Sequence, residues 1–331
     1  MAAVMMALGS CKKELSDNFI TYSNHPLNDT AWVRNVQNTA YVYNLFDDLF
    51  PDAAILDSIN VANGGTLRYG DSLEITFPAN SCVGPGNTGV PGGMAKVLIV
   101  PLKRKGDFIK TFRPTTTANG SLLETGGGFY IRVFKEDKEL TLAPNTTFRI
   151  KYNDVDTPKL NMQTFYGKEN IPVPLKGFDT AFYWIRDFDT SYLPVWTKPS
   201  NNPLIPTYFG YELQSKNLRW VTADRYVDST LPKVKVTAIL SPNYTNKNTA
   251  VFMVFNNQKT VVNMKGDYPS RSFFANNIPL KSSVKLISIS KIGNDLYLGV
   301  KDIASVASVT SYTIVPSRTN LSEIIKYLNA L

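Results

Sequence analysis

Cys11 closes the run Met1-Ala-Ala-Val-Met-Met-Ala-Leu-Gly-Ser-Cys11, in which apolar Ala2–Leu8 gives way to small Gly9 and Ser10 and then, past the cysteine, to Lys12-Lys13-Glu14. A short apolar core, small residues at a cleavage site and a polar flank are the parts of a secretory signal peptide. The apolar run is too short to span a bilayer, which takes about 20 residues, and no later stretch reaches that length, so no spanning helix is expected. No Lys or Arg precedes Cys11, and a short basic segment is expected upstream of Met1.

Other residue types narrow the chemistry further. The single histidine, His25, precedes Pro26 in a polar segment, whereas Ser-His-Asp and Cys-His arrangements and most metal clusters need histidine. No metal site and no cofactor is therefore expected. Gly126-Gly127-Gly128 lacks the Lys-Ser/Thr of a phosphate loop and reads as a bulge or wide turn between strands. If Cys11 is taken up by a modification, Cys82 is alone and no disulfide forms, and a small core or loop residue is expected there. Asp187 and Asp189, flanked by Trp184 and Phe188, would share one face of a strand, and two carboxylates are what glycoside hydrolysis requires. Acids among aromatics are common in loops, however, and the expectation is that the chain is not an enzyme. Trp184, Trp196, Tyr183 and Tyr192 admit two readings: rings buried in a core and domain interface, or a platform that stacks on sugar rings.

The net charge of +8 raises nucleic acid as a partner. The basic residues are scattered at strand spacing, and the one tight run, Lys103-Arg104-Lys105 before Gly106-Asp107, reads as a hairpin tip. No nucleic-acid partner is expected; the counter-charges expected are anionic lipid head groups or lipopolysaccharide.

The elements that must carry these residues follow from periodicity. With 331 residues, 43% apolar, the chain has room for two domains. Val42, Leu45, Phe46 and Leu49 recur at helical spacing within Asn38–Phe50, and Pro51 ends the run. From Ile55 the period becomes two, with Gly, Pro and Asn in every gap. The expected fold is mainly β: two β-sandwich domains with a short N-terminal helix and a C-terminal helix. In that reading residues 1–10 are the signal peptide and 11–28 a lipidated tether. Residues 29–155 hold the first helix and a β-sandwich, 156–215 a Pro- and aromatic-rich connection, and 216–331 a second β-domain. Asn320 and Glu323 are placed to cap the last helix, whose stripe is Leu321, Ile324, Ile325 and Leu328.

Three resemblances add to this. Leu8-Gly9-Ser10-Cys11 resembles the lipobox of bacterial lipoproteins, which implies a mature chain beginning at an acylated Cys11, with membrane lipid as partner and the outer membrane as its place. Gly64-Gly65-Thr66-Leu67, followed by Leu73-Glu-Ile-Thr-Phe77-Pro78-Ala79-Asn80, resembles the opening of the ZU-type β-sandwich of ankyrins and netrin receptors. Continued through Arg113–Thr117, Leu123–Gly128, Leu140–Pro144 and Trp220–Tyr226, the pattern is similar to lipoproteins of Bacteroidota. This implies a cell-envelope protein with a non-catalytic interaction or scaffold role, its partner an envelope protein or a glycan, or alternatively a glycan-binding surface lipoprotein. Some ZU-type domains cut themselves at a His-Phe-Ser triplet; His25 lies in the tether, so that chemistry is not expected. Asp followed by Ser or Thr and then an apolar residue resembles the O-glycosylation acceptor of the same bacteria, which implies modification at Thr30, Ser58 or Thr180 and a surface position for each.

Overall fold

A strand that buries one face alternates, and Leu73–Phe77 does so, with Leu73, Ile75 and Phe77 inside and Glu74 and Thr76 half-buried. A strand buried on both faces shows no alternation, and Thr249–Phe255 is buried at every position. The second kind sets this architecture. The computed structural model describes residues 29–37, 39–50, 55–154, 156–169, 182–188, 191–198, 208–227, 230–308 and 311–331, and it is mainly β.

The first sheet runs in the order β1 (Ile55–Asn60), β5 (Met94–Leu102), β6 (Leu123–Lys135), β14 (Arg219–Tyr226), β10 (Gln163–Lys168) and β11 (Tyr183–Arg186), with β7 (Lys138–Glu139) folded back onto β6. The second runs β12 (Val195–Lys198), β13 (Tyr208–Ser215), β9 (Phe148–Asn153), β3 (Leu73–Phe77) and β2 (Gly65–Tyr69). One core joins them, in which Val97, Ile99, Phe129 and Val221 meet Ile75, Phe77, Phe148 and Tyr152. Cys82 belongs to this core, on a ribbon of β4 (Cys82–Val83) and β8 (Thr141–Leu142). Burial pushes its thiol up to about 11, which leaves it unreactive.

A third sheet has eight strands in the order β21 (Ser311–Thr313), β15 (Lys233–Ile239), β18 (Ser272–Pro279), β17 (Val261–Asp267), β16 (Thr249–Phe255), β19 (Val284–Ile292), β20 (Asp295–Ile303) and β22 (Ser317–Thr319). Its outermost strands are consecutive in the chain, so Ser317 lies within about 14 Å of Thr313. The sheet must curl until its edges approach, enclosing Val251, Met253, Met264 and Leu286. The path bends at β17, which pairs β16 through Val261–Val262–Asn263–Met264 and β18 through Lys265–Asp267.

Between the units lies one helical layer: α1 (Tyr41–Leu49), α2 (Lys105–Lys110) and α3 (Leu321–Asn329). It fills the space between Val100, Leu102, Tyr130 and Trp220 on one side and Phe252, Val254, Ile287 and Ile289 on the other. In α1 the buried stripe is the expected one, starting at Tyr41, with Asn38 outside the described residues. In α3, Asn320 Oδ1 accepts from Glu323 N at 2.9 Å, and Ile324 and Leu328 are buried.

Two expectations are corrected. Lys103-Arg104-Lys105 opens α2 and is not a hairpin tip: Asp107 Oδ2 accepts the backbone N–H of both Lys103 and Arg104 at 2.9 Å, satisfying donors at a helix start, while Phe108 and Ile109 enter the apolar layer. Within residues 156–215 the described strands β10 and β11 extend the first sheet and β12 and β13 the second. β14, expected to open the second domain, sits between β6 and β10. The Gly126–Gly128 run lies inside β6, where two residues oppose Ala223 and Gly127 has φ 104°, a bulge.

The contact of α2 with α3 has no spare room. A Cβ on Gly106 would stand 1.8 Å from the Leu328 carbonyl oxygen. Gly106→Ala is therefore expected to cost about 2 kcal/mol by overpacking, read by urea unfolding. Gly70→Ala, with φ 55° but nothing within 4 Å of the new Cβ, should cost about 1 kcal/mol. Equal losses would contradict the close packing of α3 on α2.

Candidate functional site

From Arg113 to Leu123 the chain leaves α2 and follows the seam between the two units before entering β6. Its backbone bonds to both. Thr115 N donates to Val261 O of β17 at 2.8 Å, and Val261 N donates to Thr115 Oγ1 at 2.9 Å. From β11, Trp184 N donates to Thr116 O at 3.1 Å and its indole N–H to Pro114 O at 2.9 Å.

Arg113 is buried, its side chain 2% exposed, and its guanidinium carbon lies 4.6 Å from the Phe182 ring centroid and 4.7 Å from that of Trp220. It faces Glu169 at 3.5 Å, and Glu169 in turn accepts from Trp220 Nε1 at 2.6 Å and Arg219 Nη1 at 2.7 Å. Arg219 also reaches Glu139 at 3.1 Å, which Arg132 engages at 2.6 Å. Burial pulls the Glu139 carboxyl up, but hydrogen bonds from Arg132 and Arg219 hold it below the usual range. These charges answer one another across β6, β7, β10 and β14, so the array fastens strands together.

Two clefts flank the seam. One, of about 540 Å³, is bounded by Arg104, Lys105, Asp154, Asp156 and Lys259. Lys259 is paired with Asp154 and lies 3.6 Å from Asp156, and Lys105 Nζ donates to the carbonyls of Phe255 and Asn256 at 2.6 and 3.1 Å. Burial holds Lys103 and Lys105 below the usual lysine range. In register with Thr125, which lines this cleft, and next to the bulge at Ala223, Asp224 is fully buried and accepts from Thr222 Oγ1 at 2.7 Å. The other cleft, of about 460 Å³, has walls from Thr117, Asn119, Tyr183, Asn263, Phe274 and Asn276. Its polar groups are carboxamides and hydroxyls, able to hold a ligand by hydrogen bonds in both directions, together with the Lys265 ammonium.

The expected site residues fall in separate places. Trp184 is 1% exposed, bonded to Pro114 O and edge-on to Phe182 with centroids 4.9 Å apart. It is corrected to a core residue: its faces are covered, and it lies in the first sheet while Trp196 is half-buried on β12 of the second. Tyr192 is 62% exposed, beside a groove of about 280 Å³. Tyr183 alone of the four lines the 460 Å³ seam cleft. Asp187 is buried, receiving the Tyr166 hydroxyl at 3.2 Å with Lys216 Nζ at 3.7 Å; Asp189 lies outside the described residues. Thr30 and Ser58 are exposed, while Cys11, His25 and Thr180 lie outside the described residues. Among the described residues no group of three or more His, Cys, Asp or Glu is placed to hold a metal ion, and no helix is long and apolar enough to cross a membrane.

Sequence reasoning missed Arg113, Asp224 and the carboxamides of the seam. The signal that points to the last is Asn276-Asn277 inside an otherwise apolar strand, since Asn is depleted in strands. The chain matches no protein-family model, and no curated protein matches it.

Asp224 gives this region a pH signature. Burial lifts its carboxyl to about 7, against the Thr125 and Thr222 hydroxyls and the Lys259 ammonium, which pull it down. Unfolded, the group titrates near 4. The folded state holds the proton more tightly, so the group's contribution to stability is full below about pH 4 and is lost as pH rises to about 7. Relative to wild type, Asp224→Asn should gain stability steadily across that window and then level off, as read by urea midpoints at stepped pH. A difference independent of pH would contradict the raised value.

Proposed function

We propose that this chain is a lipid-anchored cell-envelope protein, held in the outer membrane through acylated Cys11, whose β body has a non-catalytic interaction or scaffold role. The observation that carries the reading is Leu8-Gly9-Ser10-Cys11, with an apolar run before it and a polar flank after it. The body supports the second half of the reading. Arg113, Arg132, Arg219, Glu139 and Glu169 pair with one another, which suits a rigid element whose outer loops and clefts meet a partner. The ZU-like opening at Gly64–Asn80 leads into two facing sheets, in keeping with that family's sandwich, and the proposed partner is an envelope protein or a glycan. The glycan reading has one observation in its favour: Tyr183 stands in the wall of a cleft furnished with carboxamides.

Fractionation of cells expressing the full chain tests the anchor. The wild-type protein should partition with membranes and give an intact mass that starts at Cys11 and includes two or more acyl chains, as stable anchoring requires. Cys11→Ser should leave the membrane fraction. A wild-type species that stays soluble and retains Met1–Ser10 would overturn the reading.

A further inference from the structure

We propose that the 460 Å³ cleft on the seam binds a neutral oligosaccharide, gripped by carboxamides from both β units and seated against the Phe274 and Tyr183 rings. The inference rests on the glycan reading above and gives it a site. Its first support is a bulge. Val236 pairs with Ala275 and Val234 with Ile278, so Asn276 and Asn277 together oppose the single residue Lys235, and Asn277 takes φ 61°. Two residues against one bend a strand and re-aim its side chains, as happens beside binding sites. Here both re-aimed side chains are carboxamides at the rim of a cleft.

The facing wall is a turn of the first unit, Thr117–Gly120, closed by Gly120 N donating to Thr117 O at 2.9 Å. Asn119 Oδ1 accepts from Thr117 Oγ1 at 2.5 Å and Ser121 Oγ at 2.9 Å, which leaves its amide N–H groups as the atoms it can offer outward. Asn277 Nδ2 reaches Gly120 O at 3.4 Å, so turn and bulge touch and fix the spacing of the walls. Between them Asn263 stands opposite Phe252. Among the described residues the carboxamides of Asn263 and Asn276 have no hydrogen-bond partner.

The ligand class follows from what the cleft offers and lacks. A carboxamide presents a donor and an acceptor side by side, the match for two adjacent hydroxyls on a sugar ring, and an aromatic ring suits the ring's apolar face. Lys235 Nζ sits 4.3 Å from the Phe274 centroid, holding that ring in place. Lys265 is the one charged side chain among the described lining residues, too little for a polyanion, whose binding is driven by many cations. An apolar ligand would leave the carboxamides desolvated and unpaired. β18 is paired with β15 on one side, but β17 meets it only at Ser272–Phe274, so a peptide adding to the open edge at Ala275–Asn277 is the competing occupant, and trialanine stands for it in the test. The volume lies in the range of small-molecule sites, about 300–1,000 Å³.

The test is calorimetry and saturation-transfer NMR on the full chain with maltotriose, cellotriose, mannotriose and triacetylchitotriose, alongside trialanine and a sulfated disaccharide. At least one neutral trisaccharide should bind. Asn276→Leu should weaken it at least about tenfold with the circular dichroism and unfolding midpoint unchanged, while Trp196→Ala leaves it intact. Asn263→Leu is the second variant, nearer the core. If a sugar binds but both Asn variants bind it as well as wild type, the glycan reading stands and this site is overturned. If no trisaccharide of the panel binds, or if trialanine or the sulfated sugar binds more tightly, both are overturned.

Discussion

Strand β16 is buried along its whole length and β6 through its first nine residues, and a strand apolar on both faces must be covered on both. Each of these strands turns one face to its own unit's core and the other to the helical layer between the units. That shared need fixes the rest. The three helices have nine, six and nine residues, below the roughly 12–15 at which isolated helices hold together in water. They exist because two sheets each have an apolar face to cover, and the sheets keep their spacing because the helices fill it.

The crossing of this layer poses a polar problem, since backbone that leaves α2 toward β6 must have its N–H and C=O groups satisfied away from water. Thr115 does so by bonding the β17 backbone, and Arg113 by donating from its guanidinium to the carbonyls of Thr111 and Phe112 at 3.2 Å. A buried guanidinium is tolerable only with a matched anion and good geometry; Glu169 supplies the charge, and the Phe182 and Trp220 rings flank the cation. The same solution places Pro114 against Trp184 and Thr117–Gly120 against the Asn277 bulge. The seam clefts are a consequence of how the chain crosses, with walls that belong to both units.

Much of this was legible in the residues. The α1 stripe and the Asn320 cap of α3 are periodic or local signals, and the alternation of Leu73–Phe77 fixes which side faces the core. Sheet membership was not legible for β10 to β14, because a doubly buried run such as Trp220-Val221-Thr222-Ala223 reads the same whichever sheet receives it. α2 is too short to show a helical period, and its basic start imitates a hairpin tip. Trp184 carries no mark in sequence that separates a core ring from an exposed one. The seam cleft draws Asn119, Asn263 and Asn276 from three distant segments that only the fold brings together.

The central claim is that the helical layer joins both β units into one cooperative body. Hydrogen exchange read by mass spectrometry through a urea titration, comparing peptides from β6 with peptides from β16, tests it most directly. Both should lose protection in one coincident transition. Exposure of β16 at a urea concentration that leaves β6 fully protected would contradict it.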